Sequence, residues 1–393
     1  MDLSGYLRFH RVQESAWMAA LDEVVADIPD GALALAGSLI EGIGNERSDI
    51  DVYLVAASPD DGRLSFGDAH VVAVGGLVVD IEYVDPARLR RLTDTLARFP
   101  SAEVRNQRPS AVALTLAEIK ILHNLRVARP VKGEDAWRAT VRAIDARGLA
   151  RLIFDFCAVS IDMTQEDAVG FLEAEDPESA VALLRMLRQH LAGALLAAFG
   201  ETNPAEKWRS LKLRRLAQTH GALRLPGGRS VSGTVAFLRD ADVAIGLESP
   251  ARMLTELLQL AHAVLPWGLA RFESGVALNG EALDGVPVDA VAEPVVTDAD
   301  AKTPPLPALT HDTRIRRDAE GIWISRIGSA RRIYINAIGH ELLLHFDGRT
   351  QAGRAASYIS AVAGLDREET DRCFRQFATV LSHERMIEQG APP

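Results

Sequence analysis

Cysteine is nearly absent from this 393-residue chain. Cys157 and Cys373 are the only two, too few for a disulfide framework, and each lies in an apolar helical pattern that reads as a small buried hydrophobe. Long apolar runs are missing as well. No stretch of about eighteen consecutive apolar residues occurs, and the opening MDLSGYLRFHRVQESAW has no basic region leading into an apolar core. These absences predict a soluble, cytoplasmic protein with no membrane partner. Basic residues are outnumbered, 43 Lys and Arg against 54 Asp and Glu, for a net charge of −11. That balance argues against wholesale binding of nucleic-acid backbone, which depends on many cations neutralising phosphates. There is no GxxxxGK[ST] loop, and Gly42 and Gly44 do not complete GxGxxG. The run His340 to His345 has one residue too many for HExxH. Five positions turn a helix by about 140° past a full turn, so the two imidazoles do not share a face.

What is present begins at Gly37. Ala32 to Ala36 is a short apolar run bounded by Asp30-Gly31 and Gly37-Ser38, and reads as a buried strand. A second strand is predicted from Ile50 to Val55. In a continuous strand Asp49 and Asp51 project to one face and Ile50 and Val52 to the other. Two adjacent carboxylates repel, and a hard divalent cation is the usual compensation; Mg²⁺ is often held by one or two carboxylates together with substrate phosphates. The segment Val71 to Val84 alternates into two strands around Gly75-Gly76. Asp80 and Glu82 share a face of the second, so if it lies beside Asp51, three acids converge on one end of a small sheet.

The strand, the Gly37-Ser38 turn, the Asp49-Ile50-Asp51 pair and the acid on a following strand resemble the DNA polymerase β-type nucleotidyltransferases, in particular the small bacterial enzymes that modify antibiotics or proteins with a nucleotide. The match covers roughly residues 30 to 90. The resemblance implies that Gly37 and Ser38 hold the triphosphate, that Asp49 and Asp51 bind two Mg²⁺ ions, and that a third carboxylate binds the catalytic metal. Asp80 takes that third role, with Glu82 in reserve. Arg47 is a candidate to steady a phosphate. The implied donor is a nucleoside triphosphate, ATP first.

At this length two or three domains are expected. The middle of the chain is helical by period: Leu149, Leu152, Ile153, Phe156 and Cys157; Leu184, Leu187, Leu191 and Leu195; Leu254, Leu257, Leu258, Ala261 and Leu265. The basic stretch Glu206 to Leu216 reads as a solvated helix face. A Pro-, Asp- and Thr-rich segment, residues 291–311, marks a boundary. Beyond it come three short strands, Arg314 to Arg317, Gly321 to Ile327 and Arg331 to Asn336, then three helices. The last is headed by Asp366 with Glu369 three residues on, as in a capping box.

This tail resembles the PqqD-like domains, winged-helix peptide recognition elements of pathways that make ribosomally derived peptide products. The resemblance rests on Ile335-Asn336 closing the third strand, His340 to Leu343 opening a helix, Phe346-Asp347-Gly348 ending it, and the helix pair that follows. It implies that a leader peptide adds a strand beside Arg331 to Ile335 and presses an apolar side chain against the third helix.

The expected fold is therefore α+β: a nucleotidyltransferase domain with a mixed sheet (residues 1–110), a helical domain (111–290), the linker (291–311) and a winged-helix domain (312–393). The expected activity is metal-dependent transfer of a nucleoside monophosphate to a hydroxyl or amine, on a ribosomally made precursor peptide or its product recruited by the tail. Two rivals stay open. One is a catalytically silent peptide-binding scaffold, and the other is a nucleotidyltransferase acting on a protein or small antibiotic with a structural tail.

Overall fold

The computed structural model describes residues 1–24, 31–56, 69–99, 114–245, 249–274 and 298–388. They fall into two compact units, Met1–Leu152 with Thr202–Trp208, and Ile153–Glu201 with Arg209–Pro393. The fold is mixed α+β.

In the first unit the chain runs α1 (Leu3–Phe9), α2 (Glu14–Val24), β1 (Ala32–Ala36), α3 (Gly37–Ile40), β2 (Ile50–Val55), β3 (Ala69–Val74), β4 (Leu77–Val84), α4 (Pro86–Ala97), α5 (Leu116–Val127), β5 (Arg129–Lys132) and α6 (Glu134–Arg142). The strands form one mixed sheet in the order β3-β4-β2-β1-β5. β2 is parallel to β4 and antiparallel to β1, and β3 returns antiparallel along β4 through Gly75-Gly76. Both of those glycines have positive φ, which a tight reversal of this kind requires. Alternation along the strands gives the sheet two unlike faces. One carries Leu33, Leu35, Val52, Leu54 and Val79, and it packs against Leu3, Leu7, Trp17 and Leu21 of the first two helices. The acids lie on the other.

The second unit begins within α7 (Ala146–Glu173) and continues through α8 (Pro177–Ala198), α9 (Arg209–His220), α10 (Val231–Ala244) and α11 (Pro250–Glu273). α8 is long and apolar enough, by length and composition alone, to cross a membrane. With 61% of its apolar window buried, it is the core helix of this unit. The basic stretch from Glu206 differs from the solvated face its charge predicts. Arg209 and Lys212 are buried, Arg209 donating to the Gln189 carbonyl at 2.9 Å and Lys212 paired with Glu201 at 2.8 Å. Their long aliphatic stems fill core space while their charged ends find partners.

The chain ends with β6 (Thr313–Asp318), β7 (Gly321–Arg326), β8 (Ile333–Ile335), α12 (Ala337–Leu343), α13 (Ala352–Ala363) and α14 (Arg367–His383). The three strands form an antiparallel sheet in sequence order. Asp366 caps α14 by accepting from the Glu369 amide at 2.7 Å. This tail packs inside the second unit. Gln165 of α7 donates to the carbonyls of His311 and Thr313 at 2.6 and 3.0 Å, Arg316 pairs with Asp162, and Gln259 of α11 donates to the Phe346 carbonyl at 2.7 Å. Of the segment read as a linker, residues 291–297 lie outside those described. The remainder is part of the core: Leu306 and Leu309 pack with Ile315, Phe346, Ile359 and Phe374. Its apolar leucines, spaced among prolines, have no period to betray them.

Candidate active site

Gly37 ends β1 and turns the chain into α3 at φ +73°. A Cβ at this position would overlap the carboxylate of Asp51, so a glycine is required both by the backbone and by the neighbouring acid. The cause is register, since Ala36 faces Asp51 across the antiparallel β1-β2 pair. Ser38 follows, and its carbonyl accepts from the amides of Ile43 and Gly44 at 2.8 and 2.9 Å, which closes the loop toward Asp49. Farther along, Asn45 and Ser48 brace each other, the Asn45 amide donating to Ser48 Oγ at 2.8 Å. Arg47 stands exposed on this turn.

Asp51 lies directly opposite Asp80 in the parallel β2-β4 pairing, and Tyr53 opposite Glu82. β2 begins at Ile50, so Asp49 sits at the strand's entry rather than within it. Asp49 is near enough all the same to act on both other aspartates. Burial, the largest cause, pushes Asp51 up to about 6; Lys120 pulls it down, and Asp49, Asp80 and Glu82 push it up. Asp80 is raised by burial first and then by Asp49, again opposed by Lys120. The two acids on the parallel strands are therefore held in mutual repulsion with one nearby lysine as a partial counterweight.

Glu82 has a different environment. It accepts from Tyr53 Oη at 2.6 Å, and that hydroxyl in turn accepts from Asn124 Nδ2 at 2.8 Å. Burial and the Glu82 charge raise the Tyr53 phenol, so it stays protonated and donates. With one oxygen engaged by Tyr53, Glu82 is less available to a cation than Asp80.

Asn124 and Lys120 both come from α5, and so does His123. The helix starts with a full capping box, Thr115 Oγ1 accepting from the Glu118 amide at 3.2 Å and Glu118 accepting from the Thr115 amide at 2.8 Å. His123 is buried; its Nε2 lies 3.1 Å from Glu41 Oε1 and its Nδ1 2.8 Å from Thr202 Oγ1. Thr202 accepts two bonds from Arg126, at 3.1 and 2.8 Å, and Asn203 donates to Glu41 at 2.8 Å. Glu41 caps the end of α3, so this network ties the Gly37-Ser38 turn to the helix carrying Lys120. Glu41 and His123 are also of the ligand types that could hold a metal ion. Sequence reading missed these α5 residues. Their one signal was a polar stripe at i, i+3 and i+4 in an otherwise apolar helix.

No family profile and no curated protein matches the chain. Among solved structures, a nucleotidyltransferase-like protein from Exiguobacterium sibiricum 255-15 is similar over 62% of this chain and 79% of its own, at 11% identity and a TM-score of 0.30. At that score the likeness carries no functional weight.

Proposed function

We propose that the first unit is a metal-dependent nucleotidyltransferase. The observation that supports this best is the pairing of Asp51 with Asp80 across β2 and β4, with Gly37 against Asp51 and Asp49 at the strand entry. Repelling carboxylates of this kind, Asp51 and Asp80 both half-buried, are suited to Mg²⁺, which takes oxygen ligands and shares them with phosphates. Asp49, Asp51 and Asp80 would hold two ions, which when bound supply charge neutralisation at the triphosphate and lower the pKa of an attacking hydroxyl. Gly37 lets the Asp51 carboxylate lie against the turn, Ser38 supplies a hydroxyl, Arg47 stands on the loop leading to Asp49, and Lys120 adds positive charge facing the acids. The acceptor oxygen or nitrogen forms a bond to the α-phosphorus as the bond to the bridging oxygen breaks. Pyrophosphate leaves with that electron pair, and the acceptor proton passes to a carboxylate or to water. ATP is the first donor to try.

The second unit offers a place for a peptide. Among the described residues β8 pairs only with β7, leaving its other edge open for strand addition. Phe377 and Val380 on α14 and Glu384 at its C-cap follow one another at helical spacing. Phe377 approaches Gly339, and Glu384 pairs with Arg331 at 2.7 Å, so this stripe faces the β8 side. Val380 is 46% exposed there, as an apolar anchor site would be. The reading that follows is a PqqD-like recognition element that recruits a precursor peptide for nucleotide transfer.

Calorimetric titration of ATP, GTP, CTP and UTP in the presence of Mg²⁺ tests the catalytic part. One nucleotide should bind in a metal-dependent way, and Asp49→Asn/Asp51→Asn should abolish that binding while melting as a folded protein. Nucleotide binding that survives in the double variant would sink the site assignment.

A further inference from the structure

The face of the sheet that carries the acids is covered unevenly. Over β1, Ala34 and Ala36 are fully buried, and α5 packs against that strand. Toward the β3 edge the same face is open among the described residues. Register places Val71 opposite Asp80 and Ala73 opposite Val78, so these three apolar side chains stand on the acid face directly beside Asp80. Val71 is 67% exposed and Val78 55%, and Ala73 is exposed too. The solvated side of an antiparallel edge ordinarily alternates to polar residues, and edge strands favour charge. Here it alternates from core valines to exposed apolar ones.

In-line displacement says which reactant would occupy this shelf. Across the sheet the order is the Gly37-Ser38 turn at the end of β1, then Asp51 on β2, Asp80 on β4, and Val71 on β3. With the leaving pyrophosphate at the Gly37-Ser38 turn and the α-phosphorus over the two aspartates, the attacking atom must come from the opposite side. That side is β4 and β3.

Resting on the nucleotidyltransferase reading above, we infer that Val71, Ala73 and Val78 form the acceptor shelf, and that the acceptor is a peptide hydroxyl or amine flanked by apolar side chains. An apolar floor beside Asp80 favours such a body over a polycationic, polyhydroxylated aminosugar, whose groups would lose water here without gaining partners. The bond changes are those of the transfer itself: a P–O or P–N bond to the peptide forms as the P–O bond to pyrophosphate breaks.

The test uses the full-length protein, a non-hydrolysable α,β-methylene ATP analogue, and ATP labelled at the α-phosphorus. Analogue binding with Mg²⁺ is measured first in the wild type, in Val71→Gln/Val78→Gln and in the near-isosteric Val71→Thr/Val78→Thr. It should be the same in all three. Label transfer is then compared between a short peptide carrying serine and tyrosine among valines and leucines, and a glucosamine trimer. The shelf predicts label on the peptide alone, with peptide KM raised about tenfold or more by the glutamine pair, less by the threonine pair, and kcat little changed. Preferential labelling of the aminosugar, an unmoved peptide KM, or label on neither acceptor in protein that binds the analogue would overturn it. A glutamine pair that weakens analogue binding tenfold would assign the shelf to the nucleotide instead and overturn it equally. Failure of the wild type to bind the analogue brings down the underlying nucleotidyltransferase reading, and so is told apart from failure of the shelf.

Discussion

A half-buried carboxylate facing other carboxylates loses stability in proportion to its charge, and this sets the behaviour of Asp51. Its folded pKa, about 6, lies above the ordinary value of 3.8. Between those values the folded protein keeps a proton that the unfolded chain has released, so this residue's contribution to stability falls as pH rises from about 4 to 6 and stays unfavourable above. Without divalent cations, Asp51→Asn should therefore stabilise the first unit at pH 7 by on the order of 1 kcal/mol, and should flatten that part of the pH dependence. Scanning calorimetry in EDTA reads both. An Asp51→Asn variant less stable than the wild type would mean that the carboxylate is a structural partner instead. Gly37 makes the complementary case. Gly37→Ala meets both a left-handed backbone and the Asp51 carboxylate, and it should cost about 1–3 kcal/mol in a denaturant titration. A change within half a kcal/mol would show that the turn relaxes freely.

Elements divide by how local their signals are. β1 and β2 have the bounds that their apolar runs and turn residues predict, because each is a short buried run set off by glycine or aspartate. The place of Asp80 beside Asp51 was legible in the alternation of the next strand pair. Lys120, His123 and Asn124 were not, because a polar residue on an apolar helix acquires a meaning only once the helix is known to lie on the acid face of the sheet. The same holds for Arg209 and Lys212, whose burial depends on how their helix packs beside Gln189 and Glu201. It holds also for His340, which the HExxH-like run made conspicuous for the wrong reason. Its Nε2 sits 2.8 Å from the His262 carbonyl, and His262 Nε2 sits 3.2 Å from the Thr313 carbonyl, joining α12, α11 and β6. Burial is the main cause that lowers His262 to about 3 and His340 to about 4. Both stay neutral in the folded unit while the unfolded chain protonates them below about 6.5, so the stability they support is present above that pH and is lost as pH falls toward 4. Thermal melts of the wild type and of His340→Gln should show the second unit losing stability over this window, less steeply in the variant. An unchanged slope would remove His340 from the cause.

At the scale of the whole chain, the tail is part of a larger unit. α7 and α11 bond to the backbone of residues 311–346, and Leu306 and Leu309 belong to the same core as α13 and α14. Removing residues 312–393 should therefore expose apolar surface of the second unit and yield aggregating protein. A truncated chain that is monodisperse by light scattering and melts cooperatively would contradict this packing. A peptide role is better tested by Val380→Glu, which leaves the core intact and should weaken precursor-peptide binding about tenfold or more in fluorescence anisotropy. The claim on which the account turns is that Asp49, Asp51 and Asp80 hold divalent cations together with a nucleoside triphosphate. Electron paramagnetic resonance of Mn²⁺ titrated into protein with ATP measures this directly. The account predicts two tightly held Mn²⁺ per chain that depend on ATP and are lost in Asp51→Asn/Asp80→Asn. Mn²⁺ binding no greater than that of ATP alone, or binding that the double variant retains, would contradict it.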